Sequence, residues 1–252
     1  MSRNSDVVSS PVTRTLSWKN KKVKREDVID ENGKKGKKDV IVRETGWYYY
    51  DKTANDGDGD NIKVDLPLNF LWLESAQSFS GYSEKKEQGI YSNEILVGPD
   101  AVKKYGKRKL TVKCGDSILE EGYYHDIKEA VKGHGGKFCI PVYAMVENDG
   151  NWEIWRFLMT GASGAAWMSF NNRTQNEKMM ISCIDSVEVE MKTGAVYEAP
   201  VFKYIPTTAN VLKEADEKCK EVDKYFEYIL GNNIISTPAL AEMTEEVDDT
   251  DL

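Results

Sequence analysis

Trp18-Lys19, Tyr105-Gly106-Lys107-Arg108-Lys109 and Trp155-Arg156 each set an aromatic ring close to a cationic head. The chain has six Trp and thirteen Tyr in 252 residues, so such pairings have ample material. Rings that stack on bases, inside a groove whose lysines and arginines meet phosphates, hold single-stranded nucleic acid. Each stacked base contributes about 1–3 kcal/mol whatever its identity. The plainer assignment for any one ring is the core, because Trp47, Trp72 and Trp152 fall in strand-like runs where aromatics pack.

Other chemistry-bearing patterns fall short. Asp56-Gly57-Asp58-Gly59-Asp60 invites calcium, but an EF-hand loop starting at Asp56 needs Gly sixth and Glu twelfth. Those positions hold Asn61 and Pro67, so the segment reads as a turn. Gly161-Ala162-Ser163-Gly164-Ala165 misses the last Gly of a GxSxG nucleophile elbow. Both histidines, His125 and His134, precede it, and the small residues suit close packing at a helix start. Gly161 to Gly164 also fits a GxxG clamp, a very weak signal. Neither a Walker loop nor GxGxxG is present. Cys114, Cys139, Cys183 and Cys219 are too dispersed for a CxxC site and read as buried free thiols of a reducing compartment. The expectation is a protein that is not an enzyme and needs no metal or cofactor.

Charge is unevenly placed. Residues 242–252 hold six acids and no base, and without those six the formal charge of −8 falls to −2. A stretch so charged and poor in apolar residues does not fold alone. Residues 232–252 are expected to be a disordered acidic tail, either mimicking a polyanion in the groove or recruiting proteins through Glu245, Glu246, Asp248, Asp249 and Asp251. The bland alternative is a solubilising terminus. Residues 19–38 carry nine Lys/Arg against four acids, and 31–38 read as a flexible basic loop between strands, or merely a solvated hairpin tip. No run approaches the roughly 20 apolar residues of a membrane span. The first residues lack a signal-peptide core, so the expected location is the cytoplasm.

The elements that must position these residues are mostly strands. Residues 39–42, 46–51, 62–66, 68–73 and 109–113 alternate or run apolar. Residues 138–147 and 152–160 flank the turn Asn148-Asp149-Gly150-Asn151, and 184–192 and 195–204 flank Thr193-Gly194, predicting two hairpins. Helices are predicted over 122–132, 161–170 and 210–230. In the last, Val211, Ala215, Cys219, Val222, Phe226 and Ile229 recur every three or four residues. About eight strands and three helices argue for a mainly β (α+β) domain over 12–231, after a flexible arm over 1–11.

Leu68-Asn69-Phe70-Leu71-Trp72-Leu73-Glu74, Ser80-Gly81-Tyr82, Gly89-Ile90-Tyr91-Ser92-Asn93-Glu94, and Trp155-Arg156-Phe157-Leu158-Met159-Thr160-Gly161 followed by Trp167 resemble the core of single-stranded-DNA-binding proteins of tailed bacteriophages. The likeness spans roughly 40–230. It implies an OB-like antiparallel β-barrel with insertions, a C-terminal helix and an acidic tail. It further implies a coat on displaced strands during phage replication or recombination in the host cytoplasm, with polymerase or helicase as tail partners and possible homo-oligomers. Trp47, Tyr49, Trp72, Tyr82 and Tyr91 would line the groove, 80–94 would be an insertion near it, and Lys107, Arg108, Lys109 and Arg156 would meet phosphates. The family's tail usually ends in an aromatic residue, where this chain has Leu252. The alternative reading is a phage virion structural or adaptor β-sandwich.

Overall fold

The computed structural model describes residues 8–29, 35–173, 179–190, 194 and 196–232. Fourteen strands lie among them: β1 Val12–Lys19, β2 Lys22–Ile29, β3 Lys35–Arg43, β4 Gly46–Asp51, β5 Asp60–Val64, β6 Leu68–Ser75, β7 Ser78–Ser83, β8 Gln88–Ser92, β9 Leu110–Cys114, β10 Ser117–Gly122, β11 Gly136–Asn148, β12 Asn151–Thr160, β13 Met180–Glu190 and β14 Val196–Ile205. The helices are α1 Pro99–Tyr105, α2 Tyr124–Gly133, α3 Gly161–Arg173 and α4 Ala209–Gly231. The mainly β class and the C-terminal helix are as the periodicities predict.

Twelve strands form one sheet, with the path β10-β9-β8-β7-β11-β12-β1-β4-β5. Strand β11 is its spine. On one side it pairs along its length with β12. On the other, residues 136–139 pair with β7 and residues 142–146 with β6. The changeover falls at Pro141. Carbonyl and N–H of one strand residue point the same way, and the Pro141 carbonyl accepts from Ala76 N–H at 2.9 Å. Proline has no N–H to offer on that side, so a third strand cannot continue past it. Beyond the changeover, β6 carries β13, and β13 carries β14, as a branch.

The sheet curls around the face bearing Trp47. Its indole N–H donates to Cys183 Sγ on β13 at 3.4 Å, and Trp18 Nε1 donates to the Glu198 carbonyl on β14 at 2.9 Å. Leu16, Phe70, Val142, Ala144, Val146 and Phe157 are buried inside this curl, and Trp167 of α3 plugs it. Aromatic rings meet there edge-on or tilted, Trp47 to Phe157 at 5.1 Å and Trp167 to Phe202 at 5.7 Å, the arrangements their quadrupoles favour.

Two smaller cores complete the body. Helix α4 lays Val222, Tyr225, Phe226, Ile229 and Leu230 on Tyr143 and Ile154, on the opposite face of the sheet. Thr208 caps its start by accepting from Val211 N–H. Strands β7 to β10 bury Phe79, Ile90, Leu110 and Val112 against Ile127 and Val131 of α2. Gly81 is required there: a Cβ would sit 2.3 Å from the Gly135 carbonyl where the α2–β11 turn crosses.

Three expectations need correction. The described strands do not close a barrel; β5, β10 and β14 each keep one paired neighbour and one open edge, because β11 diverts its second side to two different strands. Residues 80–94 are not an appended insertion but strands of the main sheet. Of the basic segment 31–38, read as a loop or a hairpin tip, 35–38 are strand and 31–34 lie outside the described residues; β2 and β3 form a separate two-stranded ribbon between β1 and β4. Lysines are poor strand formers, so composition hid it, while three opposite-charge cross-strand pairs hold it: Arg25 with Asp39, Glu26 with Lys38, Asp27 with Lys37.

Candidate nucleic-acid interface

Strand alternation sends successive side chains to opposite faces, and this separates the residues that the sequence groups together. Trp47 and Tyr49 on β4 and Trp72 on β6 point into the curl, Trp72 opposite Ala144. Tyr82, Tyr91 and Arg156 lie on the outer face: Tyr91 stands across from Ser80, Ser80 from Lys137, and Arg156 from Tyr143 on the same strand face as Lys137. The nine predicted contacts therefore do not line one groove.

Several are also out of reach. Trp47 is 0% exposed, walled by Trp18, Phe157 and Cys183. Tyr91 is 7% exposed, its hydroxyl donating to the Gly115 carbonyl at 2.8 Å; burial first, then nearby Asp116, raises its pKa. Arg156 is buried and faces the Glu94 carboxylate at 3.0 Å. These three are corrected from ligand contacts to core. Trp72 is half-buried against Trp167, ring centres 6.0 Å apart. Tyr49 is half-buried beneath Arg14, whose guanidinium lies 4.6 Å from its ring and 4.9 Å from Trp155. Tyr82 is half-buried, Lys107 and Lys109 are exposed, and Arg108 is half-buried, in the segment between α1 and β9. Glu245, Glu246, Asp248, Asp249 and Asp251 lie outside the described residues.

What the fold does assemble is a lysine-bearing stretch of the outer face, away from the residues on which α4 packs, in which Tyr91 and Tyr48 are themselves buried. One cross-strand row reads Lys113, Tyr91, Ser80, Lys137. Strands lie about 4.8 Å apart, so the two lysines stand roughly 14 Å apart across the row. A further row on the same face reads Leu158, Ser17, Tyr48, Lys63, with Lys19 two residues beyond Ser17. Lys19 Nζ donates to Asn61 Oδ1 at 2.8 Å, and Lys63 pairs with Glu44, which lowers the Glu44 pKa. Tyr82 lies at the margin, two residues past Ser80. Cationic heads set among hydroxyls and rings can hold phosphates and sugars without reading a base edge. Lys63, Lys113 and Lys137 were missed because no local pattern joins them, and Lys19 was noticed only as the neighbour of Trp18. The β9 alternation of Leu110, Val112 and Cys114 inward does put Lys113 outward, which was the one usable signal.

In the next row of the same face, where Tyr143 packs under Phe226 of α4, lies a buried polar cluster. Glu94 accepts from Arg156 Nη1 and from the Tyr143 hydroxyl, and Arg156 Nη2 donates to Thr15 Oγ1 at 3.1 Å. Burial, then the Glu94 charge, raises the Tyr143 pKa well above its usual value, so the phenol stays a donor. The adjacent Cys139 thiol is pushed up to about 12, chiefly by burial. Two of the resembling motifs, 89–94 and 155–161, thus meet in a structural lock.

Among the described residues no three His, Cys, Asp or Glu side chains converge as a metal site, and no helix is long and apolar enough to cross a membrane. Ser163 is buried, its hydroxyl donating to the Thr160 carbonyl at 2.9 Å, which ties it to the helix start. Comparison of the chain with known protein families, with curated proteins and with solved structures finds no match.

Proposed function

We propose that this chain is a non-catalytic protein that binds single-stranded DNA without strong sequence preference and coats displaced strands in phage replication or recombination. The observation that carries this reading is the outer-face patch of Lys19, Lys63, Lys113 and Lys137 with Ser80 and Tyr82. A sheet surface of this kind offers phosphate contacts with the Ser80 hydroxyl between them and the Tyr82 ring at the margin, and inserts no helix into a groove. We read the curled sheet around Trp47 as an opened OB-like barrel, supported by the indole bonds that reach across it. In this reading the acidic tail modulates binding and recruits a polymerase or helicase in the bacterial cytoplasm.

Tryptophan fluorescence titration with poly-dT at two salt concentrations tests the proposal. Binding weakens as salt rises, because lysines displace counterions. Lys137→Glu lowers affinity several-fold at low salt while thermal stability holds, since exposed charges contribute little to folding. Equal affinity for duplex and single strand would remove the proposal. The projecting β2–β3 ribbon is the feature that favours the alternative, a virion structural or adaptor protein, and copy number in purified particles separates the two.

A further inference from the structure

Among the described residues the β2–β3 ribbon pairs with no third strand, and residues 23–29 and 35–39 are exposed throughout. Val23, Ile29 and Ile41, which share one face of it, are 45–69% exposed. A lone two-stranded ribbon is marginal in water, and grouped exposed apolar side chains mark a contact surface. Its strands hold seven Lys/Arg against three acids.

The outer half of the β13–β14 hairpin has the opposite character. The two strands hold four acids against one base, Lys203. Glu188 stands directly across from Glu198, with Glu190 on the same face, and like charges so placed destabilise a hairpin. Neither Glu188 nor Glu190 has an ion-pair partner among the described residues. Val196, directly across from Glu190, shares their face and is 53% exposed, while Val187 points to the other face. The Trp18 bond to the Glu198 carbonyl sets the root of the ribbon next to this hairpin, so both surfaces adjoin.

We infer that the basic ribbon of one copy lies along the acidic β13–β14 hairpin of a second copy, and reciprocally. Because both surfaces adjoin, one twofold axis satisfies both contacts, which closes the assembly as a dimer instead of a filament. The valines and isoleucines of ribbon and hairpin cover each other, and ribbon lysines offset the repulsion between Glu188 and Glu198. This does not depend on the nucleic-acid reading.

Sedimentation equilibrium of the full chain tests it, with two charge-reversed proteins. One carries Lys22→Glu, Lys24→Glu and Lys35→Glu, which turns seven bases against three acids into four against six; none of the three lysines stands across from an acid. The other carries Glu188→Lys and Glu190→Lys. The unaltered protein sediments at twice its 28.5 kDa. Each reversed protein alone sediments as a monomer with an unchanged far-UV spectrum. An equimolar mixture of the two restores the doubled mass, because each then meets its opposite. An unaltered protein that stays monomeric up to about 100 μM, a weak affinity by any interface standard, overturns the inference. So does a dimer that survives either reversal, or a mixture that stays monomeric. A monomer whose ribbon reversal instead weakens poly-dT binding assigns the ribbon to nucleic acid.

Discussion

Glu94 and Arg156 are both charged and both nearly sealed from water, at 4% and 8% side-chain exposure. Removing one member of such a pair leaves the other as an uncompensated buried charge, at about 3–5 kcal/mol. Glu94→Ala therefore lowers the urea midpoint sharply, and an unchanged midpoint would mean that water reaches Arg156. Glu74 behaves differently. Burial, with Asp223 adding to it, raises its pKa, although Ser75 N–H donates to it. A carboxyl whose folded pKa is raised holds its proton longer in the folded state, so its contribution falls as pH rises through the carboxylate range. Glu74→Gln is thus more stable than the parent at pH 7. The difference fades as pH drops below the unfolded carboxyl pKa, and thermal melts across that range read the sign. A gap that widens toward acid would show that the carboxylate is favoured where it sits.

Helix α1 ends at Gly106, where φ of +73° breaks the helix, and delivers Lys107, Arg108 and Lys109 to β9. Asn93 bridges the segment to β8, donating to the Lys109 carbonyl at 3.0 Å and accepting from Thr111 N–H at 2.7 Å. The backbone is held while the Lys107 and Lys109 side chains stay in solvent. Replacing both lysines by Ala leaves the melting temperature unchanged. If they meet phosphates, each lost contact flattens the salt dependence of poly-dT binding by roughly 0.7. A slope that does not move makes this segment a solvated turn and leaves the outer-face lysines as the phosphate contacts. Arg108 is kept in this test because it is half-buried, so its loss would mix packing with charge.

At the scale of the whole molecule the acidic terminus dominates the charge, six of the net eight negatives lying in residues 242–252. If the sheet face holds phosphates as proposed, these tethered carboxylates would compete with them at high local concentration. Truncation after Thr237 leaves the fold intact and tightens binding to poly-dT at low salt. The gain shrinks as salt is added, since the Debye length is only about 10 Å at 0.1 M. Binding unchanged at every salt would rule out groove mimicry. Loss of replication activity with intact binding would assign the tail to recruiting a replication partner.

Local order was legible in the residues themselves. The Asp149-Gly150 turn joins β11 to β12, the three-to-four spacing runs along α4, and Cys114, Cys139 and Cys183 are buried thiols, because each depends on neighbours a few residues away. The site was not legible. Whether Arg156 meets a phosphate or Glu94 is decided 62 residues away, and Trp155 and Arg156, adjacent in the chain, face opposite sides of the sheet. The parallel pairing of β1 with β12 joins segments some 140 residues apart and brings Ser17 beside Leu158. No periodicity encodes such a pairing. Composition decided that rings and cations are plentiful; only tertiary register decided which of them share a face, because strand side chains alternate and one step of register exchanges core for surface.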